Sequence, residues 1–109
     1  MALFEKRMAV YNTTMAFIAD VMQTLKPGIA ECMEFMRKTR DHEFLFESEI
    51  GDFINELYKQ GINLETYNAA GPATHANERH EVTEWFSKQM GVGRKLFLRY
   101  LHFRKPDSR

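Results

Sequence analysis

The sequence predicts an all-α protein, an antiparallel bundle of four helices in one domain. The first observation is a run of seven apolar residues that recur at alternating intervals of four and three, which places them on one face of a helix. They are Phe4, Met8, Tyr11, Met15, Ile18, Met22 and Leu25. The same interval returns near the end of the chain. No segment of useful length shows the apolar–polar alternation of a β-strand.

Helices 1 and 2 are predicted over residues 3–25 and 28–41. Pro27 ends helix 1, because the residue before a proline is driven out of helical conformation. A second apolar row widens the face of helix 1, as expected for a helix that contacts two neighbours, and consists of Leu3, Val10, Phe17 and Val21. Helix 2 is predicted to turn inward Ile29, Cys32, Met33, Phe35 and Met36.

Helix 3 is predicted over residues 47–67, after a short aromatic connection at 42–46 that closes one end of the bundle. Its inner face consists of Phe46, Ile50, Phe53, Leu57 and Leu64. The sequence is compatible with two positions for the C-terminal end of this helix. A glycine cap at Gly61 would stop it early, whereas continuation to Tyr67 costs about 1 kcal/mol for a glycine inside a helix. We favour continuation, and the shorter helix stays open as the alternative.

Helix 4 is predicted over residues 77–103, after a linker of small residues at 68–76. Its apolar face repeats the four–three interval at Val82, Phe86, Gln89, Gly93, Leu96, Tyr100 and Phe103. Gly91 and Gly93 weaken the middle of this helix and predict a bend or a close helix crossing there. Pro106 ends the helix, so we predict one domain over 1–105 and a disordered tail at 106–109.

Charge is balanced overall and uneven along the chain. The 109 residues include 15 Lys and Arg and 15 Asp and Glu, a net charge of zero. Five acids and no base lie between positions 43 and 56, whereas six bases and one acid lie between 94 and 109. A short linker makes consecutive helices antiparallel, so the acidic start of helix 3 is predicted to lie beside the basic end of helix 4. The lone Cys32 is predicted to be a buried apolar residue in a reducing compartment.

No set of residues predicts catalysis or a cofactor, and we expect a protein that is not an enzyme. No Glu is followed by His at the spacing of a di-iron bundle. His80 and Glu84 lie four residues apart with His75 nearby, which falls short of a zinc site. No glycine-rich phosphate loop and no nucleophile motif occurs. We therefore predict no catalytic, cofactor-binding or metal-binding residues.

Partner binding is the function that the sequence favours. Methionine-rich helix faces adapt to partner helices, and the candidate surface on helix 1 consists of Phe4, Met8, Tyr11 and Met15. The expected partner is a protein or a second copy of the chain. The alternative is a nucleic-acid-binding regulator that uses Arg94, Lys95, Arg99, Arg104 and Lys105. Nucleic acid is the less favoured partner, because the aromatic residues between these bases follow the apolar rhythm of a helix core.

Several short motifs resemble a group of uncharacterised small bacterial proteins. The matching stretches are 3–7 with Val10-Tyr11, 43–46 through Tyr58, Trp85-Phe86, and Phe97 through Phe103. In that group a transmembrane helix at the amino terminus precedes a helical cytoplasmic region. The resemblance implies a soluble member, or the soluble part of a membrane-tethered protein. With charges at positions 5–7 and no span of membrane length, the predicted location is the cytoplasm, or the inner face of the membrane if an anchor has been removed.

Overall fold

A computed structural model describes residues 2–101, and all regular elements among them are α-helices. The predicted all-α class is therefore confirmed for this part of the chain. The helices are α1 Leu3–Thr24, α2 Ile29–Thr39, α3 His42–Leu45, α4 Ser48–Ala69, α5 Ala76–Ser87 and α6 Gln89–Leu98. Helices α1, α2 and α4 correspond to predicted helices 1, 2 and 3. The single turn of α3 lies in the predicted aromatic connection.

The predicted fourth helix over 77–103 is wrong as a continuous element. Lys88 interrupts it, and α6 ends at Leu98. At the interruption the Lys88 backbone N–H bonds the carbonyl of Trp85, three residues back, at 3.1 Å. The buried side-chain amide of Gln89 donates to that same carbonyl at 2.8 Å. The break therefore falls before Gly91 and Gly93, the positions where a bend was predicted, and Phe103 lies outside the described residues.

Gly61 does not end α4, so the predicted continuation is confirmed. A Cβ atom at Gly61 would lie 3.0 Å from Cys32 Sγ on α2 and 3.1 Å from the ring of Phe17 on α1. The glycine lets the three helices approach one another closely, and this packing offsets its low helix propensity. Helix α4 runs on to Ala69, two residues beyond the predicted end.

The core lies inside a ring of helices. Helices α1 and α4 each pack against α2 and against the α5–α6 pair, while their contact with each other is slight. The molecule measures 57 × 24 × 22 Å, and its cross-section accommodates two helices of about 10 Å diameter in each direction. Ring stacking joins α1 to α2 through Phe17 and Phe35, whose centroids lie 4.3 Å apart. Ile18, Ile54 and Phe86 are fully buried.

The face of α1 that enters the core is only part of the predicted two-row stripe. Of the seven residues in the main predicted row only Ile18 is buried, while the buried residues of α1 are Val10, Thr14, Phe17, Ile18 and Val21. Thr14 tolerates burial because its hydroxyl donates to the Val10 carbonyl at 2.8 Å. The core side of α1 is thus centred on the second predicted row. In the main row, Met8, Tyr11, Met15 and Met22 are partly buried against the core, and Tyr11 and Met15 also border α6.

Charge pairing between α4 and the end of α6 follows the prediction. The Arg99 guanidinium forms an ion pair with the carboxylate of Glu49, and the Tyr100 hydroxyl donates to the same carboxylate at 2.9 Å. At the same end of the molecule, Arg7 on α1 donates to the Leu45 carbonyl at 2.8 Å. The contacts of Glu49 join the start of α4 to the end of α6, and the Arg7 hydrogen bond joins the start of α1 to the end of α3.

Candidate interaction surface

The solvent side of α1 is made of small, uncharged residues. Ala9, Asn12, Ala16 and Ala19 are all exposed, and their spacing of three, four and three places them along one line of the helix. We call these four residues the outer strip. They lie opposite the buried residues of the same helix. The outer strip is therefore a helix face that no other part of the described chain covers.

The absence of charge on this part of α1 extends all the way around the helix. The twelve residues from Met8 to Ala19 contain no charged side chain. Charged residues make up 28% of the chain, which would place about three among twelve. A solvated helix face normally carries such charges, so this part of α1 has an unusual composition for an exposed surface.

A groove of about 450 Å³ separates the outer strip from α6, lined by Tyr11, Met15, Met90, Gly91 and Arg94. Tyr11 and Met15 belong to the predicted interaction surface, and both are half-buried. The tyrosine ring packs edge-on against Phe97, with the centroids 5.3 Å apart. Met90 is 40% exposed beside them. The groove therefore brings Tyr11 and Met15, which were predicted to form an interaction surface, next to three residues of α6 that were not predicted to belong to it.

The other two predicted surface residues lie toward the start of α1. Phe4 is 37% exposed and Met8 is half-buried. On α6, Leu98 adds a side chain that is 62% exposed. Apolar side chains therefore remain partly accessible on both helices that border the groove.

Gly91 and Gly93 lie two residues apart on α6 and have different surroundings. A Cβ atom at Gly93 would lie 2.6 Å from Met15 Cε and 3.0 Å from the Phe53 ring, so packing inside the chain requires the glycine. A Cβ atom at Gly91 would meet no described atom within 4 Å. Glycine inside a helix costs about 1 kcal/mol relative to alanine. Nothing in the described part of the chain requires that cost at Gly91, which opens onto the groove.

A second groove, of about 580 Å³, follows the opposite flank of α1, where that helix packs against α2. Asn12 and Ala16 of the outer strip belong to its lining. Its charged lining residues are three acids and two lysines: Asp20, Glu31, Glu34, Lys26 and Lys38. Of these, Glu34 forms ion pairs with Lys38 and with the neighbouring Arg37. The outer strip is therefore a low ridge between two grooves, and the groove beside α6 has Arg94 as its charged lining residue.

The predicted basic surface is only partly available. Arg94 and Lys95 are exposed, and neither forms a hydrogen bond or ion pair within residues 2–101. Arg99 is engaged by Glu49, whereas Arg104 and Lys105 lie outside the described residues. Phe97 is fully buried, and Tyr100 is half-buried with its hydroxyl bonded. These two rings are therefore not free to stack on nucleotide bases.

Among the described residues, shifted pKa values occur at Cys32 and at two ion pairs on the surface, Glu34 with Arg37 and Glu49 with Arg99. The hydrogen bond from Arg99 holds the pKa of the Glu49 carboxyl below its usual value. Burial raises the pKa of the Cys32 thiol to about 11, with the nearby Glu65 and Glu31 carboxylates adding to the effect. At neutral pH Cys32 is thus a protonated, buried thiol, the form that reacts slowly.

The sequence candidates for metal binding do not converge in the structure. His75 packs against the Tyr67 ring, with 5.0 Å between the ring centroids, and its Nδ1 lies 3.8 Å from a Glu78 oxygen. Across residues 2–101, no group of three or more His, Cys, Asp or Glu side chains is arranged to hold a metal ion. Nor does any helix in this range have the length and apolarity needed to cross a bilayer.

Comparisons with known proteins give no family for this chain. No protein-family model matches it, and neither a curated protein nor a solved structure is significantly similar. The resemblance to small bacterial proteins with a membrane helix therefore stays a prediction. Function has to be argued from the surface itself.

Proposed function

We propose that this chain is a non-enzymatic interaction module that binds a protein partner through α1. The architecture we propose for it is the antiparallel four-helix bundle, with α5 and α6 together serving as the fourth helix. The observation that carries the proposal is the outer strip, an exposed and uncharged helix face bordered by two grooves. The bacterial origin and the membrane tether implied by the resemblance belong to the same proposal.

The composition of the surface supports binding to a protein. Exposed alanines let a partner backbone approach closely, because they add little side-chain bulk above the helix. Met8, Met15 and Met90 border the outer strip or its groove, and unbranched methionine side chains adapt to the shape of a partner. Gly91 leaves further space at the edge of this surface. Such a surface favours a packed helix over a small polar ligand.

Photocrosslinking in the cells that produce the protein tests this proposal. A photoreactive residue replaces Asn12 in the outer strip, and the matched control replaces Asn55, which is exposed on α4. We expect discrete adducts of defined mass from position 12 and none from position 55, with the adduct identified by mass spectrometry. No adduct at position 12, or the same adducts at both positions, would contradict the proposal.

The alternative proposal is a nucleic-acid-binding regulator that uses the basic end of the chain. The observation in its favour is the exposure of Arg94 and Lys95, which have no partner within residues 2–101. Binding of a labelled oligonucleotide at low salt, lost as salt rises and lost in the double variant Arg94→Glu, Lys95→Glu, would support it. No binding at low salt would end this alternative.

A further inference from the structure

We propose that residues 102–105 fold back across the single turn of α3. In this contact Phe103 covers the ring of Phe44. The two bases that follow Phe103 lie beside the carboxylates of Glu43 and Glu47. The occupant of this surface is thus a segment of the chain itself, one that lies outside the described residues. The inference does not depend on the outer strip, and such a contact would keep the basic end of the chain from nucleic acid.

The surface on α3 combines an exposed aromatic ring with acids that have no base beside them. Phe44 is 79% exposed, the largest fraction among the exposed large apolar side chains of residues 2–101. Glu43 and Glu47 are exposed as well, and neither forms an ion pair within the same range. We call these three residues the α3 patch. Burial of the ring and pairing of the acids both favour an occupant that carries an apolar group and positive charge.

The segment after Leu101 carries the complementary chemistry. Its sequence is His102-Phe103-Arg104-Lys105, in which an aromatic ring precedes two cations. Two aromatic rings in contact gain free energy beyond the area they bury, and opposite charges beside them fix the register of the contact. One such pair is already present next to the patch, where a base from the end of α6 forms an ion pair with an acid from the start of α4.

The described chain ends close to the α3 patch. Tyr100 packs edge-on against Phe46, with the ring centroids 5.0 Å apart, and Phe46 lies two residues after Phe44. Glu47 also acts on the hydroxyl of Tyr100, through its backbone and its charge. Phe103 follows Tyr100 by three residues, a reach of about 10 Å for extended chain. The short tether therefore keeps Phe103 near the patch at a high effective concentration, at which a small contact suffices.

Limited trypsin digestion of the full chain tests the proposal, because trypsin cuts after Arg104 and a docked segment is cut only while it is open. Phe44→Ser removes the ring from the α3 patch. Met33→Ser is the matched control, since Met33 is another exposed apolar side chain, 58% exposed on α2. We expect cleavage after Arg104 to be about fivefold faster in Phe44→Ser than in wild type, as for the loss of one aromatic pair, and unchanged in Met33→Ser.

A second pair of variants tests the charges. Glu43→Gln combined with Glu47→Gln removes both carboxylates of the α3 patch. The matched control combines Glu81→Gln with Glu84→Gln, which removes two exposed carboxylates on α5. We expect faster cleavage at the same bond in the first double variant and no change in the second. Cleavage after Arg94, within α6, reports on the fold and should have the same rate in every variant.

The wild type provides a readout that needs no substitution. We expect a nuclear Overhauser effect between the rings of Phe44 and Phe103 in a selectively labelled chain. Absence of this effect, or equal cleavage rates in wild type, Phe44→Ser and the charge variant, would overturn the proposal. Acceleration by Phe44→Ser without any by the charge variant would overturn the proposed register. Protection that increases with protein concentration would overturn docking within one chain, because the occupant would then come from another copy.

Discussion

The two long helices of this protein have the same length and different solvent sides. Helices α1 and α4 each contain 22 residues, and both bury a continuous row of apolar side chains. The exposed side of α4 carries Asp52, Asn55 and Lys59, the mixture expected where a helix meets water. The exposed side of α1 carries the outer strip and no charge over three turns. Folding depends on the inner sides, and the proposed function rests on the difference between the outer sides.

The inner sides of the two helices should be equally important for stability. Ile18 on α1 and Ile54 on α4 are both fully buried. We expect Ile18→Ala and Ile54→Ala each to lower the free energy of unfolding by about 2–5 kcal/mol, because each substitution leaves a cavity in the core. Urea denaturation at low protein concentration measures both. If Ile18→Ala lowered the free energy of unfolding by less than about 1 kcal/mol while Ile54→Ala lowered it by more, α1 would contribute less to the core than α4.

The two glycines of α6 allow the core side of this helix to be tested separately from its groove side. We expect Gly93→Val to destabilise the fold by about 1–3 kcal/mol, because the added atoms would overlap the Phe53 ring. Gly91→Ala should instead stabilise the monomer by about 1 kcal/mol, since its Cβ would lie in open space and alanine favours the helix. Thermal and urea unfolding of both variants measures these shifts. Destabilisation by Gly91→Ala would show that the groove beside α1 is filled from within the chain.

The contact between α4 and the end of α6 should give a small, pH-dependent effect. The pKa of Glu49 is held below its usual value chiefly by the Arg99 hydrogen bond, so its contribution to stability is present at neutral pH. That contribution is lost as the pH falls through the folded-state pKa. We expect the stability difference between wild type and Glu49→Gln to shrink toward zero in acid.

An NMR titration of the Glu49 carboxyl provides the control for this effect. In Arg99→Ala the pKa of Glu49 should rise toward its ordinary value, because the principal hydrogen-bond donor is gone. An unchanged pKa in that variant would mean that Arg99 and Glu49 do not pair in solution.

Sequence periodicity predicts the helices well because burial repeats at 3.6 residues per turn. The bounds of α1 and α2 differ from prediction by at most two residues, and α4 continues through Gly61 as expected. The pairing of Glu49 with Arg99 also follows from charge distribution and short connections. These features depend on local spacing, which the sequence records directly.

Tertiary contacts decide the features that periodicity does not predict. At the break at Lys88 the side chain of Gln89 bonds a backbone carbonyl, and no periodic signal contains that bond. Both predicted rows of α1 contribute to the core, but periodicity does not predict that Met8, Met15 and Met22 are only partly buried, because that depth depends on how the neighbouring helices pack. The uncharged segment from Met8 to Ala19 is visible in the sequence. The sequence does not show which side of α1 faces solvent, so the outer strip could not be identified from it.

Photocrosslinking from position 12 in the cells that produce the protein, repeated in a variant with a charged outer strip, tests the role of α1 most directly. Ala16→Lys places a charge in the outer strip, and Ala30→Lys is the matched control, an exposed alanine on α2 that also has an acid four residues later. We predict that the adducts from position 12 persist in Ala30→Lys and are lost in Ala16→Lys, while the stability of both variants is unchanged. Equal adduct yields in all three proteins, or no adduct from position 12 in any of them, would contradict the account.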